Sequence, residues 1–229
     1  MAQAKDWDRE YNKNLLVTGG TEPQADFKRF LKYLKKETDF DTETIKALDL
    51  GSGTGKNSIY LAEEFGASAV GIEIAPTAVK IAQDRAKAAA ISATFIKQSF
   101  GTHLPLPDNS FNLALDIMSS NSLSESERSI DLHELNRTLS NGAYFFVRLL
   151  SLDGDKHAAT LLKTQPGSEP GTYKLPEVGI TERVLTEKEF RNYYEPTFTI
   201  HRLERKSGYA RVGDRLYKRQ YWIGYLQKK

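Results

Sequence analysis

Three glycines at alternate positions, Gly51, Gly53 and Gly55, follow an apolar run at 45–50 and precede a helical pattern that starts near Asn57. Strand, tight glycine turn and helix form the layout in which a parallel sheet brings its backbone against a nucleotide-like ligand. Glycine belongs there because a Cβ blocks close approach and disfavours a positive φ. The spacing separates this turn from two common alternatives. A dinucleotide fingerprint, G-x-G-x-x-G, counted from Gly51 would need its third glycine at Lys56. A phosphate loop, G-x-x-x-x-G-K-[ST], ending on Gly55-Lys56 would need a glycine at Leu50 and a hydroxyl at Asn57. Both fail.

A second apolar run, 69–74, carries an acid at its end, Glu73. It lies about 20 residues beyond the glycine turn, where a strand-end carboxylate takes ribose hydroxyls. A carboxylate suits a cis-diol because it accepts two hydrogen bonds at once. Ile74 offers an apolar surface to an adenine face. The competing reading of Glu73 is a solvated charge at a strand end. Pro76 then opens a helix through residue 90, as proline at a first helical position does.

The pattern continues as alternating strands and helices. Phe27, Phe30, Leu31 and Leu34 form an i, i+3, i+4, i+7 stripe and predict an amphipathic helix over 23–36. Strands are expected at 45–50, 69–74, 93–98, 111–117 and 143–150, with helices at 57–65, 76–90 and 125–139. Asn141-Gly142 reads as the turn closing the last of these helices. This alternation points to a parallel sheet with right-handed crossovers. Residues 151–180 hold four glycines, three prolines and little periodicity, which reads as a long loop acting as a lid. A short helix is expected at 187–194, then closing strands at 198–203 and 217–226 with 207–214 as a connection.

The stretch Asp49-Leu-Gly51-Ser-Gly53-Thr-Gly55 resembles motif I, [D/E]-x-G-x-G-x-G, of class I S-adenosylmethionine (SAM) methyltransferases. The resemblance extends over about residues 48–226. The loop 104–111 is similar to the one leading into strand four of small bacterial members, and 134–142 is similar to the segment before strand five. It implies a Rossmann-like, doubly wound α/β fold with a seven-stranded sheet, mostly parallel with an antiparallel C-terminal strand. It implies SAM as cofactor and S-adenosylhomocysteine (SAH) as product. The residues it assigns to the cofactor are Asp49, Gly51, Ser52, Gly53, Gly55, Glu73, Ile74, Ser99, Phe100 and Asp116. Trp7 to Tyr11 resembles an N-terminal segment that closes over the cofactor; an exposed helix with two anchoring aromatics is the alternative. Two positions depart from the pattern. Gln98-Ser99-Phe100 stands where many members carry an aspartate, and Phe111-Asn112 stands for Phe-Asp.

A sulfonium methyl is already electrophilic, so positioning does most of the catalytic work, and a base is needed only for a protonated nucleophile. No catalytic residue is assigned. Asp116, at the end of strand four, is the one candidate, with a helix or turn cap as its alternative role. His103, Tyr144, Arg148, Tyr173, Tyr209 and Arg211 are candidate substrate-side groups, each with a structural alternative. Ile117-Met-Ser-Ser-Asn121 is not the Asn/Asp-Pro-Pro-aromatic motif of base and glutamine methylation, and the absence of cysteine excludes cytosine C5 chemistry. By elimination the acceptor is a small molecule. Between residues 201 and 229 stand nine Lys or Arg and two acids. That segment keeps an RNA or protein acceptor open, although cations also guard sheet edges. A non-catalytic SAM-binding protein is the other alternative.

Composition fits one domain, 1–229, with a helical cap at 1–40 and the insertion at 151–180. Net charge is +2 and selects no partner. No apolar stretch approaches the roughly 18 residues of a membrane span, and the opening residues lack a signal-peptide core. Four scattered histidines and no cysteine predict no metal site, and the lack of thiols suits a reducing cytoplasm. Oligomeric state is left open.

Overall fold

A computed structural model describes residues 3–13, 20–212 and 215–229. The elements follow the chain as α1 (Ala4–Lys13), α2 (Ala25–Glu37), β1 (Lys46–Leu50), α3 (Lys56–Phe65), β2 (Ser68–Glu73), α4 (Pro76–Ala88), β3 (Ala93–Lys97) and β4 (Phe111–Ile117). Then come α5 (Glu125–Thr138), β5 (Leu139–Leu150), α6 (Lys156–Thr164), β6 (Thr172–Lys174), β7 (Thr181–Arg183), α7 (Glu187–Tyr194), β8 (Phe198–Val212) and β9 (Arg215–Lys228).

Seven strands form one sheet in the order β3-β2-β1-β4-β5-β9-β8. The first five run parallel, and β9 pairs antiparallel with β5 on one side and β8 on the other. The C-terminal strand is thus the reversed one. Central strands are apolar along their length because helices cover both faces. On one face Phe27 and Phe30 of α2 meet Phe146 at 5.5 and 5.2 Å between ring centroids, with Tyr225 4.9 Å from Phe30. On the other, Phe145 packs on Tyr194 and Phe198. The stripe read from sequence in α2 is the buried one: Phe27, Phe30, Leu31 and Leu34.

Three sequence expectations are corrected. Asn141-Gly142 does not close α5; the helix ends at Thr138, β5 begins at Leu139, and Gly142 sits with φ 76° where the β4–β5 register shifts. Residues 151–180 are not a bare loop. They hold α6 and β6, and Leu161, Tyr173, Leu175, Val178 and Ile180 are buried in the same cluster as the sheet. Asp155 caps α6 by accepting from Ala158 N at 2.8 Å, a signal hidden among the glycines and prolines. Finally, the connection expected at 207–214 is strand as far as Val212, with 213–214 outside the described residues. β8 and β9 form one long hairpin whose pairing runs to Val212↔Arg215, past the end of β5. Its charged, alternating residues lacked an apolar face to announce a strand.

Candidate functional site

Strand order reverses between β1 and β4, and ligands of such sheets bind beyond the carboxyl ends of the strands at that point. A cavity of about 310 Å³ lies there, within the size range of small-molecule sites, about 300–1,000 Å³. Its floor is the glycine turn. Gly53 has φ 55°, and a Cβ on it would lie 2.6 Å from the Tyr11 hydroxyl; one on Gly51, at φ 65°, would collide with the Ser119 side chain. The turn is shaped to let side chains and ligand approach its backbone.

Glu73 holds this floor. Its carboxylate accepts from Gly53 N at 2.9 Å and from Ala75 N at 2.7 Å, so one side chain ties the turn to the start of α4. Burial raises its pKa, and the Ala75, Gly53 and Ile74 amides oppose the rise. Each oxygen retains a lone pair for a further donor, and the side chain faces the cavity. Ser52, Ile74, Ser99 and Phe100 also line it, with Gly51 and Gly53.

Asp49, Gly55 and Asp116 do not line the cavity, contrary to the sequence expectation. Asp49 is buried and accepts from Ser58 Oγ at 2.8 Å, pinning α3 to β1; burial pushes its carboxyl up to about 7. Gly55 abuts Phe95 and Ala82, so its missing side chain serves helix–sheet packing. Asp116 accepts from the Ser119 and Ser120 amides at 3.0 and 3.2 Å and from the Ser120 hydroxyl. It caps the turn after β4, and burial raises its carboxyl to about 6. The cap reading wins because three donors already converge on it.

The substrate-side candidates divide. Arg211 lines the cavity. Tyr173 is fully buried behind its wall. Arg148 stacks on the Tyr221 ring at 3.9 Å and approaches Asp26 at 3.6 Å. His103 bonds Glu134 at 3.1 Å, and Tyr144 lies in a depression around Phe40 and His201, neither of them lining the cavity. Tyr209 is 72% exposed and does not line it either. The departure at Asn112 is structural: it accepts from Lys46 N and donates to Thr44 O, fixing the start of β1.

Helix α1 roofs the cavity with Gln3, Trp7 and Tyr11. Asp8 accepts from Thr77 N at 2.9 Å and Asn12 donates to Thr77 Oγ1 at 3.1 Å, anchoring α1 to α4. The Tyr11 hydroxyl is driven well above its ordinary pKa by burial and by Glu73, Glu10 and Asp49. Of the other lining residues, sequence reasoning named Arg211 and missed Leu175, Glu182, Arg219 and Tyr221. Glu182 sits in a stretch without periodicity, and Arg219 looked like one more surface cation, although it is 4% exposed.

Buried polar atoms test whether a ligand belongs here. Gln24 Oε1, Ser52 Oγ, Asn57 Oδ1 and Ser122 Oγ are buried without a hydrogen-bond partner, and all four residues line this cavity. Orphan polar groups are costly unless something satisfies them. Among the described residues no cluster suited to a metal ion occurs, and no helix is long and apolar enough to cross a membrane.

Comparison with known proteins agrees with this geometry. Residues 47–142 match the family model described as a methyltransferase domain. A 104-residue segment, 44% of the chain, is 33% identical to ajmaline N-methyltransferase of Rauvolfia serpentina, and the match spans 34% of that relative's length. A SAM-dependent methyltransferase structure from Methanosarcina mazei is 24% identical, covers 90% of this chain and 98% of its own, and superposes with a TM-score of 0.74. The 1,6-didemethyltoxoflavin N1-methyltransferase of Burkholderia thailandensis, solved with 1,6-didemethyltoxoflavin and SAH bound, is 16% identical, covers 99% and 87%, and has a TM-score of 0.71. At these identities the two structures speak for the fold.

Proposed function

We propose, from the premise that the chain carries a class I SAM-dependent methyltransferase domain, that it transfers a methyl group from SAM to a small-molecule acceptor. The observation that carries the reading is one roofed cavity lined both by the glycine turn and Glu73 and by Leu175, Glu182 and Tyr221. Gly51, Gly53 and Ser52 suit the amino-acid end of SAM, Glu73 the ribose, and Ile74, Ser99 and Phe100 the adenine region. SAM supplies an activated methyl on a sulfonium. The chain holds the acceptor in line with it, under Trp7 and Tyr11, and keeps water out; such positioning contributes roughly 7–11 kcal/mol.

The basic C-terminal segment speaks against a nucleic-acid acceptor. Arg219 is buried on Asp155, Lys206 pairs with Glu204 at 3.1 Å, and Arg202 lies over the Tyr33 and Tyr225 rings. Lys228 Nζ donates to Asn136 O and Leu139 O, and Lys229 Nζ donates to Glu195 O. These cations serve the fold, and β8 is an edge strand that cations protect. The relatives named above act on ajmaline and on 1,6-didemethyltoxoflavin by their names, which supports the same class here.

Calorimetry with SAM and SAH, followed by transfer of labelled methyl to pools of small metabolites, RNA and protein, tests the reading. One-to-one cofactor binding and label in the small-molecule pool are the expected results. Label confined to RNA, with steeply salt-dependent binding, would overturn the acceptor class.

A further inference from the structure

Behind the cavity wall runs a chain of polar side chains that the cofactor does not explain. Asp155, 2% exposed, accepts from Arg219 Nε at 2.9 Å. Arg219 Nη2 donates to the Tyr173 hydroxyl at 2.6 Å. That hydroxyl donates to Glu182 Oε2 at 2.7 Å, across the directly opposed β6–β7 pair Tyr173↔Glu182. Arg219 Nη1 stands 4.0 Å from the same carboxylate oxygen. The series ends at Glu182, which lines the cavity with a side chain only 12% exposed.

The charges do not cancel. Within the network one guanidinium, Arg219, is shared by two carboxylates, held close by Asp155 at 2.9 Å and more loosely by Glu182 at 4.0 Å, and Glu182 is the carboxylate at the wall. Its Oε2 is engaged by Tyr173, and among the described residues no hydrogen bond to Oε1 occurs. A buried network is worth keeping when each member is satisfied, and this one has an open end facing the cavity. The same cavity is lined by the apolar surfaces of Leu175 and Tyr221. A low-exposure carboxylate in a cavity with apolar and aromatic lining is complementary to an amine carried on an apolar skeleton.

We infer that Glu182 is a specificity-determining residue that binds the acceptor's nitrogen, and that the acceptor is an amine on an apolar or aromatic skeleton. The inference rests on the methyl-transfer reading above and deepens it. An alkylamine arrives as ammonium and has no lone pair to offer. Glu182 Oε1 takes one N–H proton from it. The freed nitrogen lone pair forms the N–CH₃ bond as the S–CH₃ bond breaks, and the breaking bond's electrons stay on sulfur. The product is a methylated ammonium, SAH is neutral at sulfur, and the proton on Glu182 passes to water. Tyr173 and Arg219 are positioning residues that fix the carboxylate. Arg211 and Lys56 also line the cavity and would meet any anionic part of the acceptor.

The test uses the whole chain and two pairs of probes, phenethylamine against 2-phenylethanol and tryptamine against tryptophol. Cofactor binding is measured first: SAM and SAH titrated into the wild type and into Glu182→Gln, whose amide oxygen still accepts from Tyr173. The probes are then titrated into the SAH complexes. The wild type should bind each amine at least tenfold more tightly than its alcohol. Glu182→Gln should lose that preference while its affinities for SAM and SAH stay within twofold. Equal binding of amine and alcohol by the wild type, binding of neither amine, or a preference retained in Glu182→Gln would overturn the inference and leave the cofactor reading standing. Weakened SAM with unchanged SAH in Glu182→Gln would also overturn it, because the carboxylate would then serve the sulfonium. Failure of the wild type to bind SAM and SAH would overturn the reading on which the inference rests.

Discussion

Gln3 and Thr181 hold each other by two hydrogen bonds: Gln3 Nε2 donates to Thr181 O at 2.9 Å, and Thr181 N donates to Gln3 Oε1 at 2.6 Å. The side-chain amide thus pairs with the backbone of β7 as a neighbouring strand would. Gln3 Nε2 also donates to Ser122 O at 2.6 Å, and Arg9 Nη2 donates to Val178 O at 2.5 Å. Helix α1, whose Trp7 and Tyr11 line the cavity, is therefore fastened to the segment 178–181 on the same cavity's rim.

Gln3→Ala should loosen this fastening. Three hydrogen bonds at about 0.5–1.5 kcal/mol each are lost, so amide exchange in α1 and at 178–183 should rise at least about tenfold. SAM dissociation should quicken by a similar factor. Exchange at the wild-type rate would show that Asp8 and Asn12 on Thr77 hold the helix alone.

Glu73→Ala should weaken SAM by about 1–3 kcal/mol, the scale of hydrogen bonds to a charged group. The variant also frees the Gly53 and Ala75 amides, so the turn itself should become mobile. Glu73→Gln keeps one acceptor oxygen and should lose less. Calorimetry on both variants, with circular dichroism to confirm the fold, separates ligand contact from turn support. Equal SAM affinity in all three proteins would remove Glu73 from the ribose role.

Much of this was legible in the chain. Gly51, Gly53 and Glu73 announced the floor of the cavity because they answer to local geometry, a turn and a strand end. The apolar stripe of α2 and the five parallel strands were equally visible through their periods. The polar network behind the cavity was not, although Tyr173 had been singled out by itself. Glu182, Arg219 and Tyr173 come together only through the pairing of β6 with β7 and the length of the β8–β9 hairpin. Short strands of three residues carry no period, and a buried arginine has the same letter as an exposed one. Asp116 kept two readings for a related reason: position at a strand end does not say where a carboxylate turns, and here it accepts from the Ser119 and Ser120 amides, the cap alternative.

Stability should fall as pH rises from about 4 to 7. Burial holds Asp49 at about 7 in the folded chain, against about 3.9 unfolded. Between those values the native state binds a proton that the unfolded state has released, so the slope of unfolding free energy with pH is negative. Below about 4 both states are protonated and the term vanishes; above about 7 the full penalty stands. Asp116, held at about 6, acts in the same direction. Asp49→Asn should remove part of the slope while keeping an acceptor for Ser58 Oγ. Thermal melts at closely spaced pH values read it, and an unchanged slope would mean that Asp49 stays ionised.

Leu175→Ala should cost about 2–5 kcal/mol, the usual range for a buried leucine. Leu175 is 3% exposed and shares a cluster with Tyr173, Ile180 and Tyr221. A lid loosely hung on the sheet would tolerate the change. Denaturant melts decide between the two: a single transition at lower midpoint shows that 151–183 unfolds with the sheet, and an early separate transition shows a detachable flap.

Arg219→Lys should be nearly as damaging as Arg219→Met. The guanidinium bonds Asp155 through Nε and Tyr173 through Nη2, two directions that a single ammonium on a shorter reach cannot span. With one partner gone, the carboxylate of Asp155 remains buried, and breaking a buried pair in this way costs about 3–5 kcal/mol. Asp155 keeps the Gln220 and Ala158 amides, at 3.0 and 2.8 Å, so the loss should fall toward the lower end. The double variant Asp155→Asn/Arg219→Met removes both charges and should recover part of the stability. Urea midpoints for the single and double variants give the coupling directly. Additive losses would show that the pair is not coupled, and that Glu182 is held at the cavity wall by the β6–β7 hairpin alone.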